Sequence, residues 1–269
     1  QGLGPRTKHC LGLNLLRLLL VMPPPWPPTY TDVVSHKLAK EMKEDEMAKD
    51  AFPAPGENPA TPKAYETLFA LMTEKFKACE VRESGALVDV KLEEFWEACE
   101  LYRDMLSKLG SAAGMIVKDI DQNLTNAKAV YSEAPAERST MSKFLELPVG
   151  HTGIAKLTWL CRGVEFFLVM IKKIFTQDSG NAATEAYSET LSQYHGWMLQ
   201  QTLKIALRAL PSKDAIVQSE GLVPGDISLD EKRALCERDA PPAASEALEV
   251  VHCVFDMMKK TGRWDAKKA

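Results

Sequence analysis

The sequence lacks the short spacings on which most catalytic and metal chemistry depends. Its six cysteines (Cys10, Cys79, Cys99, Cys161, Cys236 and Cys253) include no C-x-x-C pair, and its five histidines include no H-x-x-x-H pair. Metal sites and redox dithiols are built from such spacings, so neither a metal nor another cofactor is expected. There is no G-x-S-x-G elbow. The stretch from Gly110 to Lys118 has the wrong spacing for a phosphate loop and no Ser or Thr after the lysine. Excess positive charge is missing too: 33 Lys and Arg stand against 37 Asp and Glu, a net charge of −4. That balance excludes a general nucleic-acid binder, which needs a basic surface to displace counterions. It equally excludes attachment to anionic membranes by bulk charge. The longest apolar run, Cys10 to Met22, contains Asn14 and Arg17 and is too short to span a bilayer.

What is present is ordinary for a soluble globular protein: 269 residues, 45% apolar and 26% charged. Scattered cysteines at or near apolar helical positions read as small hydrophobes in a reducing compartment, which places the chain in the cytoplasm. Arg6 and Lys8 ahead of the apolar run imitate the start of a signal peptide, but no small-residue cleavage pattern follows. The chain begins with Gln, which makes Met22 a candidate natural start. Pro23-Pro24-Pro25-Trp26-Pro27-Pro28 comes next, and the segment from Ser35 to Lys49 is charged without a continuous apolar stripe. Residues 1–63 therefore read as a mostly disordered extension, and 64–269 as one folded domain.

From Ala64 onward the apolar period is helical: Ala64–Cys79, Val90–Leu109, Ala112–Tyr131, Met141–Leu147, Gly153–Phe175, Ala182–Leu210, a short piece near Leu229–Cys236, and Ala244–Lys260. Asp89 is placed to cap the second helix and Gly110 to end it. No stretch shows sustained strand alternation, so the fold class is all-α.

Three helices carry the informative residues. On Ala112–Tyr131, Asn123 projects about 40° and Asn126 about −20° from Asp119, a narrow polar stripe beside the apolar Ile116, Ile120 and Leu124. A pocket rim has that form, and so does an ordinary amphipathic boundary. On Gly153–Phe175, Trp159, Gly163, Phe166 and Met170 share one line, with Arg162 about 60° away. An indole on such a line is a core residue or a flat plate for a sugar face. On Ala182–Leu210, His195 lines up with Leu191, Leu199, Thr202 and Ala206, while Trp197 projects to the opposite side. This histidine reads either as a satisfied core residue or as a donor at a pocket mouth.

Lys118-Asp119-Ile120-Asp121-Gln122-Asn123-Leu124-Thr125 followed by Ala127-Lys128-Ala129-Val130-Tyr131 resembles the D-I-x-x-N-[IL]-T…K-A-V-Y block of the glycolipid transfer protein family. Trp159-Leu160-Cys161-Arg162-Gly163 is similar to its W-L-x-R-G, and Ala186-Tyr187…Leu191…Tyr194-His195-Gly196-Trp197 to its A-Y-x-x-x-L-x-x-Y-H-G-W. The resemblance implies a two-layer sandwich of about eight helices that sheathes the chains of a ceramide, without catalysis. It implies that Asp119, Asn123, Asn126, Trp159 and Arg162 form the headgroup site, with Asp119 and His195 on the ceramide amide. It further implies that Phe166, Met170, Leu191 and Leu203 line the chain pocket and that Trp197 meets the membrane. Basic residues replace the Asn and the Trp in the ceramide-1-phosphate branch. Asn123 and Trp159 therefore point to a glucosyl-, galactosyl- or lactosylceramide. The expected protein is a monomer, peripheral to membranes. Asn126 departs from the family's usual lysine, and Lys128, about 160° round the helix, is not a substitute. A ceramide-1-phosphate carrier, or a sensor or adaptor using the same pocket, remains an alternative.

Overall fold

The structure, a computed structural model, describes residues 67–109, 113–177 and 181–264. The expectations for residues 1–63 and for Gly110 lie outside these residues.

Helix α1 (Leu68–Ala78) starts at Thr67, whose hydroxyl accepts from the Ala70 amide at 3.1 Å and donates to Asp239 at 2.8 Å. One side chain thus caps a helix and ties it to a distant one. The chain then departs from the all-helical expectation in one place. Strands β1 (Glu80–Glu83) and β2 (Ala86–Val90) pair antiparallel as a short hairpin. Ser84 and Gly85 turn it with φ of 49° and 84°, the left-handed pair that a two-residue hairpin loop requires. The hairpin falls between two helical patterns and is too short to have given a period of its own. Asp89, expected to cap the next helix, does not do so. Helix α2 (Leu92–Ser107) begins after Lys91 with no side-chain cap. Asp89 instead accepts from the Ser142 amide at 3.0 Å, at the start of the short α4 (Met141–Phe144).

Helix α3 (Gly114–Ser132) and helix α5 (Thr152–Thr176) follow the expected patterns. The expected helix Ala182–Leu210 is broken. It forms α6 (Ala182–Glu189), a 3-10 turn at Ser192–Tyr194, and α7 (Trp197–Leu207). The break falls at His195, whose extended backbone precedes Gly196, the residue that opens α7. Gln200 holds this corner by donating to the Ser192 and His195 carbonyls at 2.7 and 2.9 Å. After α8 (Lys213–Val217), α9 runs unbroken from Leu229 to Lys260, where two pieces were expected. A capping box of Ser228 and Glu231 starts it. Pro241 and Pro242 lie inside it. Each lacks an amide for the ladder, a defect of about 3 kcal/mol in an isolated helix. Packing overrides the defect here. Cys236, Ala240, Ala243, Ala244, Ala247 and Val250 continue a buried stripe straight through the prolines.

Five of the nine α-helices among the described residues close a circuit. α9 packs on α5 and α1, α1 on α2, α2 on α3, and α3 returns to α5. Two close approaches set α3 antiparallel to α5: Ile120 lies against Gly163, and Val130 against Gly153. The Tyr102 hydroxyl donates to the Gly163 carbonyl at 2.8 Å and draws α2 onto the same point. Cys79, Cys99, Cys161, Cys236 and Cys253 are free thiols, and burial pushes their pKa values up. Protonated, they act as small apolar side chains.

Candidate functional site

The register of α3 against α5 puts Asp119 and Asn123 opposite Lys156 and Trp159, and carries Ile116 toward Phe166. Between these helices and α7 lies a cavity of about 410 Å³, a volume typical of small-ligand sites. Its polar end holds Asp119, Asn123, Lys156, Trp159 and His195. Its apolar walls come from Ile116, Ile120, Gly163 and Phe166, then from Leu191, Leu199, Leu203 and Leu207.

Asn123 is 4% exposed and donates to the Asp119 carboxylate at 3.2 Å. Asp119 keeps an open face to solvent, yet the apolar walls around its carboxyl raise its pKa above the usual carboxylate value. The charge on Lys156 and the Asn123 hydrogen bond oppose that rise. The Trp159 and His195 rings stack 13° from parallel with centroids 5.8 Å apart. His195 Nδ1 lies 3.0 Å from the Tyr187 hydroxyl. Burial, then the positive charge of Arg162, lowers the His195 pKa to about 4, while burial raises that of Tyr187 to about 12. The ring is therefore neutral and the hydroxyl protonated at physiological pH. In the tautomer in which Tyr187 donates to Nδ1, the imidazole proton is on Nε2 and Nε2 is a donor; in the other, Nδ1 donates to the Tyr187 oxygen and Nε2 is an acceptor.

The residues expected at the site do not all reach the cavity. Asp119, Asn123, Trp159, His195, Phe166, Leu191 and Leu203 line it. Arg162 does not. It is 1% exposed, with its guanidinium carbon 3.7 Å from the Tyr194 ring centroid, 4.8 Å from Trp159 and 5.0 Å from Trp264. It braces the indole from behind through cation–π contact. Asn126 is exposed beyond the lining, and Met170 lines a second cavity instead. Trp197, 74% exposed, stands on the outer side of α7 beside Met198 at 66%.

Lys156, Tyr187 and Leu207 are lining residues that the sequence reading did not single out. Lys156 was within reach, because the line Met170, Phe166, Gly163, Trp159 extended one turn back arrives at it. Outside the cavity, Glu80, Glu246 and Glu249 bring carboxylate oxygens within 4.8 Å of one another. Arg82 pairs with Glu80 at 2.6 Å and with Glu249 at 3.0 Å, so the cluster joins the hairpin to α9 as an ion-pair network.

A family model described as Glycolipid transfer protein (GLTP) matches residues 90–221. The glycolipid transfer protein of Danio rerio is 30% identical over 157 residues, which cover 51% of this chain and 74% of that protein. The chain belongs to the glycolipid transfer protein family. Pleckstrin homology domain-containing family A member 8 of Mus musculus is 27% identical over 205 residues, 71% of this chain. The match covers 39% of that relative, so this chain spans about two fifths of its length. Among solved structures, one describing how FAPP2 selects simple glycosphingolipids using the GLTP-fold gives a TM-score of 0.66 at 22% identity. It covers 76% of this chain and all (100%) of that one. Apo mouse ceramide-1-phosphate transfer protein gives 0.62 at 18% identity, covering 74% of this chain and 98% of its own. At these identities the likeness speaks for the fold, the all-α sandwich of this family. Neighbours named for both lipid classes share it, so the fold does not select the headgroup.

Proposed function

We propose that this chain transfers glycosphingolipids of the glucosyl-, galactosyl- or lactosylceramide class between membranes, by extraction and shielding without chemistry. The observation that carries the reading is the gradient along the cavity. Acceptors, a donor and an indole plate gather at one end, and only apolar walls follow. Asp119 and Asn123 together offer acceptors and a donor for vicinal hydroxyls. Trp159, half-buried in the cavity lining, offers the sugar the part of its indole that the His195 stack and the Arg162 cation–π contact leave uncovered. His195 Nε2–H donates to the amide carbonyl, and Asp119 accepts the amide N–H. Moving a two-chain lipid into water costs on the order of 20 kcal/mol at about 0.8 kcal/mol per methylene, and the apolar depth of the cavity offsets that cost.

Contact with the bilayer falls to α7. Trp197, Met198 and Ile205 are exposed on it, whereas Leu199, Leu203 and Leu207 line the cavity. No helix among the described residues is long and apolar enough to cross a membrane. The protein on this reading is a peripheral, cytoplasmic monomer. One observation favours a second reading. Lys156 supplies a cation beside Asp119, which suits the phosphate of ceramide-1-phosphate. Transfer between vesicles carrying both lipids separates the two readings. Preferential movement of glucosylceramide, abolished by Asp119→Val with helicity intact, is expected. Preferential movement of ceramide-1-phosphate would overturn the sugar reading.

A further inference from the structure

A second cavity of about 400 Å³ opens where the end of α5 meets the start of α6 and the turn between α7 and α8. It shares only Leu207 with the first cavity and is a compartment of its own. Leu109, Met170, Ile174 and Ile216 give it apolar walls, while Gln177, Thr184, Arg208, Ser212 and Lys213 give it hydrogen-bond donors. None of the described lining residues is acidic, in a chain whose net charge is −4. The two cations are not equivalent. Lys213 is paired with Glu237 on α9, which neutralises it within the protein. Arg208 is exposed, and its side chain makes no ion pair or hydrogen bond with another described residue. The Ser212 hydroxyl accepts from the Ala215 amide at 3.3 Å, which leaves its own proton available to donate. The cavity thus presents one uncompensated positive charge together with apolar wall.

We infer that the second cavity is a binding site for a small organic carboxylate with a compact apolar body, held by Arg208. Charge sets the head of the ligand. One uncompensated cation balances one negative charge, which fits a carboxylate and leaves a phosphate monoester partly unmatched at neutral pH. The planar guanidinium also matches the two carboxylate oxygens with two parallel N–H bonds. Volume sets the body. A cavity of a few hundred Å³ is the size of small-molecule sites, in which apolar walls bury the ligand and a few polar groups orient it. The polar side chains exclude an acyl chain, which would strip water from their donors without replacing its hydrogen bonds. The inference stands whichever lipid the first cavity takes.

The test uses the full chain with isotope-labelled methionine and isoleucine methyl groups, titrated with naphthoate and followed by NMR. The Met170, Ile174 and Ile216 methyl resonances are expected to shift together and to saturate, while those of Ile116 and Ile120 in the first cavity stay in place. Arg208→Gln is expected to weaken naphthoate binding about tenfold or more, as loss of a charge-assisted pair requires, with the spectrum of the free chain unchanged elsewhere. Naphthalenemethanol, the same body without the charge, should bind the wild type more weakly by a similar factor and should not distinguish it from Arg208→Gln. Inorganic phosphate should leave the three methyls unmoved at concentrations that saturate naphthoate. No shift of these methyls, a shift confined to Ile116 and Ile120, or naphthoate affinity unchanged in Arg208→Gln would each overturn the inference. A response to phosphate or to naphthalenemethanol equal to that with naphthoate would overturn it as well.

Discussion

Burial sets His195 and Asp119 against their ordinary titration, and the consequences run in opposite directions. The folded imidazole resists protonation until pH falls to about 4, whereas the ordinary value is 6.5. Above 6.5 both folded and unfolded rings are neutral and the stability is complete. As pH falls from 6.5 toward 4, the unfolded ring takes a proton that the folded ring refuses. Stability then declines by up to about 1.4 kcal/mol per pH unit. Urea midpoints across that window should show the slope in the wild type and a shallower one in His195→Asn; equal slopes would remove His195 as its source. Asp119 is raised by desolvation, so its ionisation at neutral pH opposes folding. Asp119→Asn is expected to raise the neutral-pH urea midpoint. The same change should slow glucosylceramide transfer about tenfold or more, as loss of a charged hydrogen bond worth about 1.5–3 kcal/mol requires. A variant that is both less stable and fully active would contradict the placement of this carboxylate. Gly163 constrains the same spot: a Cβ there would come within 2.2 Å of Ile120 Cδ1, so an alanine pushes Ile120 into the cavity.

At the scale of elements, α7 is two-sided and weakly anchored, with apolar side chains both toward solvent and toward the cavity. Replacing Trp197 and Met198 by serine is expected to reduce vesicle partitioning and the transfer rate together. Affinity for soluble short-chain glucosylceramide should not change, and equal loss of both would place these residues in the lipid site instead of on the membrane. Helix α9 gives the opposite case, a strained element held by its neighbours. Pro242→Ala restores an amide to the ladder and should raise stability by about 1 kcal/mol or more, read as a higher urea midpoint at unchanged slope. The periodic helices were legible in the sequence because each buries one face, as α2 does with Leu92, Phe95, Trp96 and Cys99. The broken corner at His195 was not, since Leu191 and Leu199 keep helical spacing across a turn that Gln200 and Gly196 make. The line through His195 reached cavity residues even though no single helix carries them. Similarly, the stripe on α9 was read as two because propensity at Pro241 and Pro242 outweighs burial when only the chain is in view.

For the whole molecule, the site follows from how separate elements meet, and that meeting sets what sequence could and could not give. Asp119 and Asn123 share one face of α3, and Trp159 lies on α5, so their patterns were readable helix by helix. Arg162 lay close to the same line, but its enclosure by Tyr194 and Trp264 depends on the chain far beyond α5. Tyr187 and Leu207 join the cavity only once α6 and α7 are folded against α5. The glycolipid transfer fold supplies the apolar groove, and on the proposed function the five polar and aromatic side chains Asp119, Asn123, Lys156, Trp159 and His195 select the headgroup. The most direct test of that account is native mass spectrometry of the purified full chain followed by extraction of the bound lipid. A bound mono- or dihexosylceramide, lost in Trp159→Ala, is the predicted result. Ceramide phosphate as the predominant lipid, or hexosylceramide retained in full by Trp159→Ala, would contradict it.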